Sequence, residues 1–111
     1  MIKKDIFDAD LQELAEFARM ISHPARLAIL KYLAETQTCI SGDISSQLPL
    51  SRTTVSQHLK ELKSMGLIQG EIDGLKINYC LCNPKIAQCK TMFNTFFEKI
   101  EPQEIKCDCK A

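Results

Sequence analysis

The six cysteines are the residues of this 111-residue chain whose side chains offer the most distinctive chemistry. Cys107 and Cys109 form a Cys-x-Cys pair in a charged segment near the end of the sequence, where a thiol has no core to fill. Such a pair can offer two thiolates to one soft ion with little backbone strain. In a reducing compartment, cysteines more often serve metal binding or redox chemistry than structural disulfides. Any single cysteine can instead be a small core residue, which is the simpler interpretation for Cys89.

A second set of functional side chains lies in residues 51–62, which read SRTTVSQHLKEL. Val55, Leu59 and Leu62 follow helical spacing and commit one side of this segment to a core. The other side carries short hydrogen-bonding residues and cations, which suit base edges in the DNA major groove and phosphates respectively. The alternative is a solvated helix in a protein-interaction domain. The predicted DNA contacts of this segment and the residue after it are Ser51, Arg52, Thr53, Thr54, Ser56, Gln57, His58, Lys60 and Lys63.

The elements that must position these residues follow from local signals. Asp8 or Asp10 can cap a first helix, and Pro24 suits the first turn of a second helix. Residues of about 41–48 are expected to form a short third helix. After the break at Leu48-Pro49-Leu50, Ser51 caps a helix that ends at Gly66. Two helices joined by a turn of three or four residues match a helix-turn-helix.

A β-hairpin is predicted immediately after this motif. Asp73-Gly74 lies between two alternating segments, and a type I′ turn needs residues that tolerate positive φ at both central positions. Lys76 beside this turn is the one cation that the hairpin offers to DNA. The fold class expected is therefore mainly α with a small β-hairpin, a winged helix-turn-helix.

The last predicted helix opens at Asn83-Pro84 and carries an apolar stripe too wide for the core of so small a domain. Together with the apolar side of the first helix, this stripe predicts a homodimer through the first and last helices; packing within one subunit is the alternative. We expect residues 1–100 to form the winged helix-turn-helix domain with its dimerisation helices and residues 101–111 to form a cysteine-containing tail. The members of the stripe are Ile86, Cys89, Phe93, Phe96, Phe97 and Ile100.

The composition excludes some classes of function and leaves others open. The formal net charge is zero, but the segment 51–63 has three cations against Glu61 alone, and local charge is what meets phosphate. No apolar stretch approaches the length of a membrane span, and the first ten residues lack the apolar region of a secretion signal, so a cytoplasmic location is expected. No catalytic constellation or phosphate-binding glycine loop is found, so we expect no enzyme and no organic cofactor.

The sequence resembles the ArsR/SmtB family of winged-helix repressors over about residues 10–100. The resemblance is carried by ISHPARLAILKYL (21–33), GDISSQLPLSRTTVSQHLKELKSMGLIQGEIDG (42–74) and INYCL (77–81). It implies a homodimer that binds a roughly palindromic double-stranded operator, with the two recognition helices about one duplex turn apart. It also implies that a metal or another thiol-reactive inducer releases the DNA.

The family's sensor sites are only partly matched. The family's arsenic-binding Cys-x-Cys would occupy Ile40 and Gly42, and the last helix lacks the histidine expected of a zinc site. Trivalent arsenic and antimony favour three sulfur ligands, so the resemblance leads us to expect arsenite or antimonite at Cys107 and Cys109. Cys39 is the candidate third ligand and Cys89 the next, and a cysteine of the wing is a further alternative. The seven residues from Pro102 to Cys109 reach at most about 23–25 Å, enough to return along the last helix or cross to the other subunit.

Two other hypotheses remain open from the sequence. A disulfide or persulfide between two of the six cysteines could be the signal that releases DNA, without any metal. Alternatively, the chain could be a winged-helix dimer used for protein assembly, with no role on DNA. Its marker would be weak, sequence-blind DNA binding that vanishes at moderate salt.

Overall fold

The computed structural model describes residues 6–36, 39–41, 44–72 and 78–102. These residues contain four helices and a small sheet, so the predicted fold class, mainly α with a β-hairpin, is confirmed. The helices are α1 (Ala9–Ile21), α2 (Pro24–Thr36), α3 (Arg52–Ser64) and α4 (Asn83–Ile100). The strands are β1 (Ile40–Ser41), β2 (Ile68–Glu71) and β3 (Asn78–Leu81).

The sheet is antiparallel, with β3 in the centre between β1 and β2. The hairpin of β2 and β3 is the predicted wing, and its Asp73-Gly74 turn lies outside the described residues, as does Lys76. Gly70 in β2 has a φ of +115°, and a Cβ there would lie 2.2 Å from the carbonyl oxygen of Asn78 on β3. The two strands therefore approach so closely at this point that only glycine fits.

The short helix predicted over about 41–48 is wrong in its extent and type. Ser41 belongs to β1, and the described remainder has only a 3₁₀ turn at Ser45–Gln47. Serine hydroxyls compete with the backbone for its hydrogen bonds, and Pro49 cannot continue a helix. A helical turn followed by α3 still gives the helix-turn-helix arrangement.

The core lies where α2, α3 and the sheet meet. Its members come from every described helix except α4 and from β2 and β3, so the sheet closes the open side of the helical layer. Helix α4 contributes Ile86 to the edge of this core and otherwise runs away from it, beside α1. The largest fully buried side chains are Tyr79, Phe17, Ile29, Leu62, Leu67, Ile68 and Val55.

Candidate nucleic-acid interface and thiol sites

Helix α3 is defined at both ends by the residues that the sequence indicated. The Ser51 hydroxyl oxygen accepts a hydrogen bond from the backbone N–H of Thr54 at 3.2 Å, and the same hydroxyl donates to Thr54 Oγ1 at 2.9 Å. At the other end Gly66, with a φ of +79°, donates to the carbonyl of Lys63, and Leu67 donates to that of Leu62. This is a Schellman arrangement, which satisfies the last carbonyls of the helix.

The two sides of α3 differ as predicted, with one exception. Val55, Leu59 and Leu62 are buried, and Ser56 is half-buried at the boundary. The residues left on the exposed surface of α3 and its cap are the polar ones, which we call the polar face: Ser51, Arg52, Thr53, Thr54, Gln57, Lys60 and Lys63.

His58 is the exception. We expected it on the polar side, contacting phosphate, but it is only 8% exposed and faces inward. Its Nδ1 atom accepts a hydrogen bond from Nε of Arg26 at 3.2 Å, so its ring is engaged by the protein itself. The spacing contained this information, because residue 58 follows Val55 by three and precedes Leu62 by four, which places it on the buried side.

Arg26 is a residue that positions parts of this site and that the sequence did not indicate. Its guanidinium group donates to the carbonyl of Met20 at 3.0 Å, donates to His58, and forms an ion pair with Glu61. It thereby joins the end of α1 and the start of α2 to the middle of α3. The segment SHPAR signalled only a helix start, since the partners of Arg26 on α3 are more than thirty residues away.

The ion pair with Arg26 also reaches the polar face. The second carboxylate oxygen of Glu61 accepts a hydrogen bond from the Gln57 side-chain amide at 3.3 Å. The Glu61 carboxylate therefore contacts both Gln57 and Arg26, and it connects the two side chains. Because Arg26 offsets the charge of Glu61, the charge that α3 presents outward is dominated by Arg52, Lys60 and Lys63.

The surroundings of His58 keep its ring neutral. Burial lowers the pKa of His58, and the nearby charges of His23 and Arg26 lower it further. The His23 ring lies 4.5 Å from that of His58, and the Nδ1 atom of His23 accepts a hydrogen bond from the backbone N–H of Ala25. His23 is thus a helix-start residue, as its position before Pro24 indicated, and neutral His58 is free to accept from Arg26.

The candidate metal ligands are only partly within the described residues. Cys107 and Cys109 lie outside them. Cys39 is exposed beside β1 and Cys89 is buried on α4, where burial raises the pKa of the Cys89 thiol. Among the described residues, no group of three or more His, Cys, Asp and Glu side chains could hold a metal ion.

The outer surface formed by α1 and α4, which we call the α1–α4 face, carries exposed apolar side chains. Leu11, Phe97 and Ile100 are exposed on it, with Phe97 59% and Ile100 54% accessible. A cavity of about 490 Å³ between the two helices is lined by Leu11, Leu14, Met92 and Phe96, among others. Apolar patches of this kind commonly mark protein–protein contacts. None of the described helices is long and apolar enough to cross a membrane.

The sequence and fold of this chain are similar to those of known bacterial regulators. The family model for bacterial regulatory proteins of the arsR family matches residues 23–69, from the start of α2 to β2. The HTH-type transcriptional regulator YgaV of Escherichia coli is 31% identical over 78 residues, which cover 70% of this chain and 79% of YgaV.

Two regulators of Mycobacterium tuberculosis are also similar in sequence. Rv0081 is 34% identical over 74 residues (67% of this chain and 65% of Rv0081), and the repressor SmtB is 34% identical over 84 residues (76% and 58%). The chain thus spans somewhat less than two thirds of the length of these relatives. The crystal structure of Rv0081 superposes with a TM-score of 0.60 and 28% identity, covering 86% of this chain and 95% of Rv0081.

Proposed function

Because this chain belongs to the arsR family of bacterial regulatory proteins, we propose that it is a DNA-binding transcriptional repressor of a metalloid or metal resistance operon. Arsenite or antimonite is the proposed inducer that releases it from its operator. The name of the relative SmtB, a transcriptional repressor, supports the direction of control. The observation that carries the proposal is the polar face of α3, displayed opposite a buried apolar side.

The polar face suits the major groove in size and chemistry. Thr53 and Gln57 are exposed near the start of α3, where a recognition helix meets base edges, and their hydroxyl and amide groups can donate and accept hydrogen bonds. Arg52, Lys60 and Lys63 supply cations for phosphates. Lys76 is proposed as the wing's contribution.

The α1–α4 face supports a two-fold dimer as the DNA-binding form. Burying Leu11, Phe97 and Ile100 against a second copy would remove the most exposed large apolar side chains of these two helices from water. Two α3 helices related by a two-fold axis and separated by about 34–36 Å would fit successive major grooves on one side of the duplex.

For the inducer site we propose Cys107, Cys109 and Cys39. The support is chemical: three thiolates suit a trivalent metalloid ion, and Cys39 is exposed and therefore reachable. Cys89 is the less suitable third ligand, because its thiol is buried in the domain. Capture of the ion would draw residues 101–111 onto the domain and favour a dimer geometry that no longer fits the operator.

DNA reading is tested by measuring binding to the promoter region of the chain's own gene by fluorescence anisotropy. Gln57→Ala and Thr53→Ala are expected to weaken specific binding by roughly 5- to 100-fold, because each removes a base contact. Lys60→Ala should reduce the slope of log affinity against log salt by about 1. Lys90, an exposed lysine on α4, is the control, and Lys90→Ala should leave this slope unchanged. Weak wild-type binding that is sequence-blind and lost at moderate salt would favour the protein-assembly hypothesis instead.

The inducer is tested on the same DNA with arsenite and antimonite. Replacing Cys107 and Cys109 together by serine should leave operator affinity near the wild-type value and abolish release by arsenite. Cys82→Ser, a half-buried cysteine outside the proposed set, is the matched control and should retain release. Release that survives the double substitution would exclude this site. Release by peroxide or polysulfide in the presence of a chelator, without metalloid, would identify a redox signal instead.

A further inference from the structure

Cys39 and Cys80 are opposite each other on neighbouring strands. The antiparallel register pairs Ile40 with Tyr79 and Ser41 with Asn78, and its continuation by one residue brings Cys39 opposite Cys80. Facing residues in antiparallel strands have Cα atoms about 4.5–5.5 Å apart, which lies within the range of about 4.4–6.8 Å found for disulfides. The backbone separation therefore suits a bond between these two sulfurs.

The surroundings of the two thiols leave them accessible. Cys39 is exposed and Cys80 is half-buried, and both line a cavity of about 490 Å³ whose wall also includes Leu33 and Ala34 at the end of α2. Gln69 on β2 is paired with Cys80 on its other side, and its side-chain amide donates to Cys80 Sγ at 3.8 Å. A small reagent can thus reach the Cys80 sulfur, which the neutral side-chain amide of Gln69 orients.

The two thiols also interact directly. A hydrogen bond with Cys80 is the main cause that raises the pKa of Cys39. The two sulfurs therefore lie within hydrogen-bond reach of each other, and Cys39 keeps its proton to a higher pH than an isolated thiol would.

The other described cysteines are placed differently. Cys89 is buried on α4, where a reagent does not reach its sulfur. Cys82 follows Cys80 by two residues, just after β3 and at the N-cap of α4, and two residues of extended chain span about 6.5 Å between Cα atoms. Among the described residues no third ligand lies beside Cys39 and Cys80, so a bond between the two sulfurs is the chemistry that this pair can carry by itself.

We propose that Cys39 and Cys80 form a reversible disulfide, making this edge of the sheet a thiol modification site. The oxidant is a small-molecule disulfide. One cysteine thiolate attacks it, forms a mixed disulfide and expels one thiolate; the second cysteine, deprotonated, attacks the protein sulfur of the mixed disulfide and expels the other. Two protein thiols are oxidised to one disulfide, and one small-molecule disulfide is reduced to two thiols.

The bond would connect the strand that precedes the helix-turn-helix to the central strand of the wing. The 3₁₀ turn, α3 and β2 would all lie within the closed loop. Cross-linking a loop of this length restricts the unfolded chain, so the oxidised form is expected to unfold at a temperature higher by about 5 °C or more.

The test is to incubate the full chain with oxidised glutathione and map the products by mass spectrometry of peptides. We expect a cross-linked peptide containing Cys39 and Cys80, reversed by dithiothreitol. Cys39→Ser and Cys80→Ser should each lose this cross-link and accumulate a glutathione adduct on the remaining partner, whereas Cys82→Ser should form the cross-link normally. Cross-links of Cys80 only to Cys82, or stable glutathione adducts on wild-type Cys39 without a cross-link, would overturn the proposal.

A second readout connects this site to the proposed function and depends on it. If Cys39 is the third arsenite ligand, the oxidised protein should lose arsenite release together with its Cys39 thiol. Oxidised protein that carries the cross-link and still releases DNA with arsenite would refute Cys39 as a ligand and leave the disulfide standing. A missing cross-link with normal arsenite release would refute the disulfide alone.

Discussion

Arg26 is a single residue whose side chain connects three helices. Its side chain is 14% exposed, and that of its partner Glu61 is 37% exposed. The pair is therefore partly shielded from solvent, unlike the pair of Arg19 and Glu16 on α1, whose side chains are 64% and 56% exposed. A shielded charge left without its partner is costly, whereas surface ion pairs contribute little.

Replacing Arg26 by alanine is expected to destabilise the domain by roughly 1–3 kcal/mol, because Glu61 and the Nδ1 atom of His58 lose their donor. Urea unfolding followed by circular dichroism measures this change. Arg19→Ala is the matched control and should leave the unfolding midpoint unchanged. Equal effects of the two substitutions would mean that Arg26 contributes only a surface charge.

His58 gives the stability a predictable dependence on pH. Because its pKa is lowered in the folded protein, the unfolded chain binds more protons at mildly acidic pH. The stability that depends on neutral His58 is therefore fully present above a pH of about 6.5 and is lost as the pH falls toward the folded pKa. Protonation would also remove the Nδ1 acceptor that Arg26 uses.

We expect the wild-type free energy of unfolding to fall between pH 7 and pH 5.5 and that of His58→Gln to fall less. Denaturant titrations at several pH values in this interval measure the difference between the two slopes. His23→Gln removes a lesser cause of the lowered pKa of His58 and leaves its burial intact, so it should reduce the slope less than His58→Gln does. Parallel curves for wild type and His58→Gln would contradict the role given to His58.

At the scale of elements, Gly70 matters more to the wing than Gly66 matters to the end of α3. Gly66 has a positive φ, but a Cβ there would make only ordinary van der Waals contact, with the flexible Lys85 side chain at 3.7 Å. Gly70 has both a positive φ and the backbone of β3 within 2.2 Å of any Cβ. An alanine at position 66 therefore strains only its own backbone, whereas one at position 70 must separate two strands.

Gly66→Ala is expected to cost about 1–2 kcal/mol, the usual penalty for a left-handed backbone with a Cβ. Gly70→Ala should cost more and should increase hydrogen exchange at Tyr79 and Leu81 on β3, which pair with β2. Exchange measured by mass spectrometry distinguishes a local opening of the wing from global unfolding. An alanine at position 70 that is tolerated better than one at position 66 would contradict this close approach.

Helix α3 and the hairpin could be predicted because their signals are local. The Ser51 cap, the Gly66 stop and the alternation of β3 each need only a few neighbouring residues. Strand β1 could not be predicted, since two residues have no periodicity and their partner is almost forty residues away. The contacts of Arg26 on α3 and the proximity of Cys39 to Cys80 depend on the same long-range packing.

His58 shows a different kind of error. The signal was present in the helical spacing, but a histidine beside lysines in a predicted DNA-contacting helix suggested a phosphate contact. Its environment is set by the heptad-like position between Val55 and Leu62, not by its chemical type. A polar residue at a core position of a helix is therefore a reason to look for a buried partner, which here is Arg26.

At the scale of the whole molecule, the fold separates two surfaces. The polar face of α3 carries the proposed DNA contacts, and the α1–α4 face carries the exposed apolar side chains. Phe97 is the most exposed large apolar side chain of α4, at 59%, so replacing it should not disturb the core. A charge at this exposed apolar position would oppose the proposed contact between two subunits.

Phe97→Glu is expected to convert the proposed dimer to a monomer, because it would bury a carboxylate in an apolar contact. Affinity for a two-half-site operator should fall by about 100-fold or more, since the two recognition helices would no longer bind as one unit. Sedimentation velocity gives the mass, and anisotropy on the same DNA gives the affinity. Leu27→Glu on α2 is the matched control, as Leu27 is 50% exposed but lies on neither helix of this face, and it should remain dimeric. A Phe97→Glu protein that stays dimeric with unchanged affinity would place the subunit contact elsewhere. A wild-type protein that is monomeric would contradict operator binding by a two-fold dimer.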